Sequence, residues 1–266
     1  MVGQEELVSK IKSYSIANLP QAILLLGEEG CGKHTLANEM ANYFGLELID
    51  LTDDINLNNL TAIRMRAVSA FYLINVSNIT EKEQNMILKF VEEPSPYVYI
   101  ILVSNSSHDI IDTLYNRCNI FQFSKYTRED LMKFVDGVSN NIDEMLELCS
   151  TPGQLKLMIK YYDELMSLCS KFDTKLKNAS FSNLLLAVVD RINYKDEYDK
   201  FDFYLFIKAL KYSIAKEFSE TLDEELFMLY NIINEYSTRL VDTRLNKQIF
   251  MENLMTTLWK KVRGDD

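Results

Sequence analysis

The chain has few of the residues that build long loops, metal sites or disulfide frameworks. It contains four prolines, eight glycines and four cysteines among 266 residues, which predicts a compact and largely helical protein. The cysteines are widely separated, with no pair at the spacing of metal ligands. We therefore expect free, buried thiols in a reducing cytoplasm and no zinc. The four cysteines are Cys31, Cys118, Cys149 and Cys169.

Long apolar runs and an excess of positive charge are also missing. No run approaches the length that crosses a membrane, and the N-terminus has no charged-then-apolar signal, so we expect a cytoplasmic protein without a membrane partner. The formal net charge of −11 argues against a protein that binds nucleic acid alone, because contacts to phosphates need a locally basic surface. A few DNA contacts inside a larger assembly remain compatible with this charge.

A glycine-rich loop near the N-terminus is the most informative stretch of the sequence. Residues 22–26 are apolar and predict a buried strand, and residues 27–35 then read Gly-Glu-Glu-Gly-Cys-Gly-Lys-His-Thr. Leu36, Met40 and Phe44 follow at the spacing of one helical face. The order of strand, glycine loop and helix predicts a phosphate-binding site, with ATP or ADP as its ligand.

The residues of this loop have separate expected roles. The glycines bring backbone N–H groups close to phosphate oxygens, the start of the helix adds partial positive charge, and Lys33 reaches the terminal phosphates. His34 stands where the motif has a serine or threonine that ligates magnesium, and a neutral imidazole is a poor ligand for this hard cation. The loop either binds nucleotide without this contact or has kept only its shape. The predicted nucleotide-binding residues are Gly27, Glu28, Gly30, Cys31, Gly32, Lys33, His34 and Thr35, with no metal ligand among them.

Strands alternate with helices over the first 125 residues. Strands are predicted at 22–26, 46–51, 71–75, 98–103 and 119–123, and helices at 4–17 and 57–69. Thr80 and Glu83 form a capping-box pattern that predicts a further helix ending before Pro94. This alternation is typical of a parallel sheet with right-handed crossovers, so we expect an α/β domain with a five-stranded sheet over residues 1–125.

The remainder of the chain is predicted to be helical. Helical segments are expected at 128–136, 141–149 and 154–169, with helices throughout from Phe181. Two apolar stripes in this part favour core or subunit packing over a cofactor site. The first stripe is Leu222, Leu226, Leu229, Ile233, Tyr236 and Leu240, and the second is Leu245, Ile249, Leu254 and Leu258. We predict a helical lid over 126–172 and a helical C-terminal domain over 173–266.

Several segments, taken in order with the glycine loop, resemble the AAA+ subunits of DNA-polymerase clamp loaders, above all the bacterial delta-prime subunit. The segments are 2–5, 19–26, 85–94 and 111–118, followed by 151–156, which is similar to the second sensor of the family's lid, and by 243–252, which is similar to the last helix of its collar. The resemblance covers essentially the whole chain. Its most specific parts are the Glu-Glu-Pro that ends segment 85–94 and the Arg-Cys pair at 117 and 118.

The sequence also departs from that family's ATPases. Such an ATPase carries paired acids at the end of its third strand, one for magnesium and one to activate water. Those positions hold Ile74 and Asn75 here, and asparagine can neither accept the proton nor carry the charge. Together with His34, this argues against ATP hydrolysis at the chain's own site. The zinc module of many bacterial relatives is also missing, since residues 36–70 contain no cysteine.

The resemblance implies that such a chain contributes to the catalytic site of another subunit. Arg117 would act as an arginine finger in trans on the ATP of a neighbour, a task that suits a permanently charged group able to hold phosphate through two donors. Asn105 falls in the family's first-sensor region and Lys156 in its second, although a strand-end hydrogen bond and a solvated lysine explain these two equally well. The implied partners are clamp-loader ATPase subunits, a sliding clamp and primed DNA.

Two other functions remain open from the sequence. The chain is an active ATPase motor subunit of a reduced clamp loader if another acid, such as Asp50 or Asp53, replaces the missing pair. It is a nucleotide-free scaffold if the loop has lost its ligand and the helical C-terminus holds the partners. Nucleotide binding and phosphate release by the isolated protein distinguish these alternatives.

Overall fold

A computed structural model describes residues 1–52, 55, 57–65, 67–135, 137, 140–189, 192–193, 201–239 and 246–264. The chain divides into two compact units. The first comprises Met1–Lys133 together with Thr151–Gly153, and the second comprises Phe134–Ser150 and Gln154–Asp266.

The first unit contains a five-stranded parallel sheet, which confirms the predicted α/β fold. Its strands are β1 (Ala22–Leu26), β2 (Glu47–Asp50), β3 (Ala70–Asn75), β4 (Val98–Ser104) and β5 (Asn119–Gln122). They are arranged in the order β2-β3-β4-β1-β5, and every neighbouring pair is parallel. Every residue of β1 and β4 is buried, because these strands are central and covered on both faces.

The described residues of the first unit form six α-helices: α1 (Glu5–Lys12), α2 (Lys33–Phe44), α3 (Leu57–Arg64), α4 (Glu81–Glu92), α5 (Asp112–Tyr115) and α6 (Arg128–Met132). The predicted capping box of α4 is confirmed, since the Thr80 side chain accepts from the Glu83 N–H and Glu83 accepts from the Thr80 N–H. Helix α1 is shorter than predicted. It ends at Lys12, and the Asn18 side chain then accepts the Ser15 N–H at 2.7 Å in a local turn.

The core of this unit lies on both faces of the sheet. Leu24 contributes to one apolar cluster with Ile74 and Ile87, and Ile23 contributes to the other with Met40. Successive residues of β1 therefore point to opposite faces, as the two-residue period of a strand requires. The glycine loop follows directly from this buried strand, and so its start is fixed by the core.

The second unit is mostly helical. Its helices are α7 (Ile142–Leu148), α8 (Pro152–Cys169, whose first two residues belong to the first unit), α9 (Phe172–Asn178), α10 (Phe181–Val189), α11 (Phe203–Thr221), α12 (Glu224–Arg239) and α13 (Lys247–Arg263). A short parallel pair, β6 (Ile192–Asn193) and β7 (Phe201–Asp202), corrects the expectation of helices throughout. None of the helices in the described ranges is long and apolar enough to span a membrane.

The two apolar stripes are only partly as predicted. Leu226, Leu229 and Ile233 are buried along α12, and Leu254 and Leu258 are buried along α13. Two other members are exposed: Leu222, which lies between α11 and α12 with φ of 54°, is 73% exposed, and Ile249 is 55% exposed. Leu240 and Leu245 lie outside the described residues. The stripes therefore pack the inside of the unit, with a narrower apolar face than the sequence suggests.

Candidate functional site

Several of the predicted site residues come together at one edge of the sheet. Gly27 follows β1, Asn75 ends β3 and Asn105 follows β4. Because the strands are parallel, their carboxyl ends meet at the same edge, which is where ligands bind in open α/β sheets. The sheet therefore places the glycine loop, the third-strand position and the first-sensor position together.

The glycine loop leads into a helix start that is suited to an anion. Gly32 is the N-cap residue of α2, with φ of 101° and no side-chain capping hydrogen bond. This backbone conformation is left-handed and favours glycine, and no side chain competes for the first N–H groups of the helix. Such N–H groups and the helix dipole bind phosphate. His34 and Thr35 lie on the first turn of α2 and are exposed.

Lys33 is held tightly by its surroundings. The side chain is buried, and its Nζ donates to the carbonyl oxygens of Gly27 at 2.5 Å and Glu28 at 2.9 Å and to Oδ1 of Asn105 at 2.9 Å. Burial lowers the pKa of Lys33, and the neighbouring Cys31 and acidic residues oppose this effect. A phosphate that binds here must therefore exchange with carbonyl and amide oxygens that already satisfy the ammonium group. The lysine and Asn105, predicted separately from the sequence, lie in direct contact.

A polar network behind Asn105 includes an acid that sequence reasoning missed. The Ser77 hydroxyl accepts the Asn105 N–H at 3.0 Å and donates to Oδ2 of Asp109 at 2.7 Å. Oδ2 of Asp109 also accepts the Ser106 N–H at 3.2 Å. The second oxygen, Oδ1, is buried and has no hydrogen-bond partner among the described residues. The sequence signal that could have found Asp109 is the Ser106-x-x-Asp109 capping-box pattern, which the structure forms at a short 3-10 helix, Ser107–Asp109.

The third strand offers no carboxylate to the site. Ile74 is 1% exposed and belongs to the core. Asn75 caps a turn of 3-10 helix (Val76–Asn78), since its side chain accepts the Ser77 N–H. Its amide is therefore used in the local backbone structure.

Of the two replacement acids considered from the sequence, only Asp50 lies in the described residues, and it is far from the loop. Asp50 ends β2 and accepts both the N–H and the hydroxyl of Thr52. Strand β2 lies three strands away from β1, which corresponds to about 14 Å at ordinary strand spacing. Asp53 lies outside the described residues. In the described part of the chain, no group of three or more histidine, cysteine, aspartate or glutamate side chains is arranged to hold a metal ion.

The middle of the loop is fixed by a tyrosine. The Tyr126 hydroxyl donates to the carbonyl oxygen of Cys31 at 2.7 Å, and burial raises the pKa of Tyr126 to about 12. Cys31 itself is buried, and burial raises the pKa of its thiol. The predicted loop cysteine is thus a packed, protonated side chain that helps to hold the shape of the loop.

The tip of the loop contacts the start of α8. The Thr151 hydroxyl donates to the carbonyl oxygen of Glu29 at 2.9 Å, and the Gly153 N–H donates to that of Gly30 at 2.9 Å. The resemblance places the second sensor at 151–156, and two residues at its start, Thr151 and Gly153, contact the loop. Lys156, the predicted sensor residue, is exposed on α8 and belongs to the second unit.

Gly153 is required for this close approach, and Gly153→Ala should destabilise the protein. An added Cβ would lie 2.5 Å from the Cα of Gly30. The clash is with backbone, which cannot move aside as the end of a flexible side chain can. We expect a loss of about 1–3 kcal/mol from overpacking, although alanine favours a helix by up to about 1 kcal/mol. Urea denaturation measures the net change, with Lys156→Ala on the same helix as the control. An unchanged or higher stability of Gly153→Ala would contradict the contact.

Arg117 lies at the opposite edge of the sheet from the glycine loop. It stands between α5 and β5, where the strands begin, and its side chain is 42% exposed. Since β5 pairs with β1 over four residues, about 13 Å of strand separates the two edges. The guanidinium contacts Oε1 of Glu92 at 2.9 Å and the carbonyl oxygen of Thr113 at 2.7 Å. Sequence reasoning did not identify Glu92 as a partner.

Comparison with known proteins agrees with the resemblance. A family model described as DNA polymerase III, delta subunit, matches residues 52–127. A replication factor C small subunit of Methanosphaera stadtmanae is 28% identical over 149 residues, which cover 50% of this chain and 46% of that protein. A DNA polymerase III subunit delta' of Haemophilus influenzae is 26% identical over 37% of this chain and 34% of its own length. The sliding-clamp-loader large subunit of Escherichia phage RB69 is 31% identical over 54% and 46%, respectively.

Solved structures support the fold. A DNA polymerase III gamma subunit-related protein of Thermotoga maritima matches with a TM-score of 0.51 and 17% identity, covering 97% of this chain and 99% of that one. The RuvB Holliday junction branch migration motor of the same organism matches with a TM-score of 0.50 and 15% identity, covering 82% and 76%. Each matched stretch spans less than half of the three curated relatives named above. The chain therefore has the AAA+ P-loop fold followed by helices, and its sequence is similar to those of clamp-loader subunits.

Proposed function

We propose that this chain is a delta-prime-like clamp-loader subunit of a DNA replication complex. It does not hydrolyse ATP at its own site and supplies Arg117 as a finger to the ATP of a neighbouring ATPase subunit while a sliding clamp is loaded on primed DNA. The observation that carries the proposal is the placement of Arg117, exposed at the sheet edge opposite its own glycine loop. From that edge the guanidinium is available to another molecule but not to the phosphates of its own site.

The residues of the chain's own site fit a phosphate better than they fit magnesium. The uncapped start of α2 and the ammonium of Lys33 suit phosphate oxygens. The magnesium-binding hydroxyl and the paired acids expected of this class are replaced by His34, Ile74 and Asn75, and none of these supplies a hydroxyl or carboxylate oxygen to magnesium or to an attacking water. A nucleotide bound here would therefore be retained without turnover.

A thermal melt of the purified protein with and without ATP and magnesium tests this part of the proposal, together with phosphate release from the same sample. We expect stabilisation without phosphate release, since a ligand at 100 times its dissociation constant adds about 2.7 kcal/mol. Lys33→Ala should remove the stabilisation, because it removes the ammonium group that contacts the loop carbonyls. Phosphate release by the wild-type protein that is lost in Lys33→Ala would instead show that the chain is itself an ATPase.

One observation favours that second candidate, an active ATPase subunit. Asp109 carries a buried carboxylate oxygen without a hydrogen-bond partner among the described residues, and its charge acts on Lys33. If phosphate is released, Asp109→Asn should abolish the release, whereas Asp50→Asn, three strands away, should preserve it. If ATP neither stabilises the protein nor is hydrolysed, the nucleotide-free scaffold is favoured.

The remaining parts of the proposal concern assembly. We assign the AAA+ domain to residues 1–125, a helical lid to 126–172 and a helical collar for hetero-oligomer formation to 173–266. The partners are the ATPase subunits of the loader, the sliding clamp and primed DNA, in the cytoplasm. The similarity to a DNA polymerase III subunit delta' and to a sliding-clamp-loader large subunit supports the choice of partners.

A further inference from the structure

The guanidinium of Arg117 is restrained by two groups from two different elements. Its Nη2 contacts Oε1 of Glu92, the last residue of α4, at 2.9 Å. Its Nη1 donates to the carbonyl oxygen of Thr113 in α5 at 2.7 Å. These contacts use two of the five N–H donors of an arginine and fix the plane of the group. An exposed arginine without such partners samples many orientations.

Glu92 occupies a position that is unfavourable for an acid by itself. The carboxyl end of a helix carries partial negative charge, so a carboxylate there is repelled unless a cation faces it. Helix α4 runs back from the carboxyl end of β3 and therefore ends at the edge where β5 begins. Arg117 lies at this edge and supplies the cation. The Glu92 and Arg117 side chains are 38% and 42% exposed, so the pair adds little to the stability of the fold.

We infer that Glu92 is a positioning residue for Arg117. Glu92 holds Nη2 of Arg117, and the backbone of α5 holds Nη1. The remaining N–H donors of the guanidinium are thereby kept in a fixed orientation toward the phosphates of a neighbouring subunit's nucleotide. This inference depends on the proposed function, in which Arg117 acts in trans. Glu92 itself does not touch the reacting phosphate, and its effect on turnover passes entirely through Arg117.

The inference is tested in the complex that assembles on the tagged, full-length chain, with steady-state ATP turnover as the measurement. We expect Glu92→Ala to lower kcat about 10-fold to 100-fold, as misplacement of a positioned group does, with little change in KM for ATP. Glu92→Gln keeps an oxygen that accepts from Nη2 and should restore most of the lost kcat. Glu129→Ala, which removes an exposed acid from α6, is the charge-matched control.

A double variant distinguishes positioning from a merely structural role. If Glu92 acts through Arg117, adding Glu92→Ala to Arg117→Ala should cause no further loss of kcat. A further loss would overturn the inference, and so would an unchanged or increased kcat in Glu92→Ala alone while Arg117→Ala is impaired. In both cases the proposed role of Arg117 as an arginine finger would remain supported. If Arg117→Ala itself has no effect, the proposed function fails and the inference fails with it. Thermal melting of each variant verifies that the chain is folded.

Discussion

Arg117→Ala in the assembled complex is expected to lower ATP turnover by the neighbouring subunit about 10³-fold, the lower end of the range for arginine fingers that act in trans. The physical reason is that a guanidinium neutralises charge that develops on the γ-phosphate in the transition state. Because the interaction strengthens on reaction, the loss should fall on kcat rather than on KM. Clamp loading on primed DNA should fall with turnover, and both are measured on the same preparation.

Two further variants make this experiment specific. Arg117→Lys keeps the charge but not the planar pair of donors, so it should restore only a small part of the activity. Arg128→Ala removes another exposed arginine, at the start of α6, and should leave turnover unchanged. Arg117 is partly exposed, so its replacement should change stability by no more than about 1 kcal/mol. Wild-type turnover in the Arg117→Ala complex would refute the finger.

The inner strands of the sheet, β1, β3 and β4, were predictable from the sequence because they are buried on both faces. Residues 22–26 and 98–103 are almost continuous apolar runs, and such runs need no tertiary context to be recognised as central strands. The start of α4 was also predictable from the sequence, since a capping box is a local hydrogen-bond pattern. The carboxyl ends of helices were harder to predict from the sequence. The end of α1 depends on a turn in which Asn18 binds the Ser15 N–H, and this competes with continuation of the helix.

Parts of the candidate site were predictable where the order of strands along the chain places residues side by side. Parts that depend on contacts between distant elements were not. Lys33 and Asn105 meet because both follow neighbouring parallel strands. Glu92 and Arg117 are 25 positions apart, and their pairing depends on where α4 ends relative to β5. Topology could have suggested this pair, because a crossover helix returns to the edge where the next strand starts. The tight approach of Gly153 to Gly30 has no local sequence pattern, because it depends on a contact between distant parts of the chain.

Gln84→Leu is expected to cause the largest loss of stability among the variants considered. Gln84 is 2% exposed and lies on α4. Its Nε2 donates to the carbonyl oxygen of Asp109 at 2.7 Å, and its Oε1 accepts the Ile111 N–H at 2.9 Å. Leucine fills a similar volume but leaves both backbone groups without a partner, and each unpaired group costs about 1–3 kcal/mol. We therefore expect the free energy of unfolding to fall by about 2–6 kcal/mol in urea denaturation.

Lys82→Leu, which introduces the same side chain at an exposed position of α4, is the control and should change stability by less than about 0.5 kcal/mol. Gln84 binds α4 to the segment between β4 and α5, so it joins the helix that ends at Glu92 to the helix that precedes Arg117. Its loss should therefore lower both stability and the turnover of the complex, whereas loss of Arg117 should lower turnover alone. Equal stability of Gln84→Leu and Lys82→Leu would mean that this buried glutamine does not hold the two helices together. The position of Arg117 would then depend on Glu92 and Thr113 without support from the core.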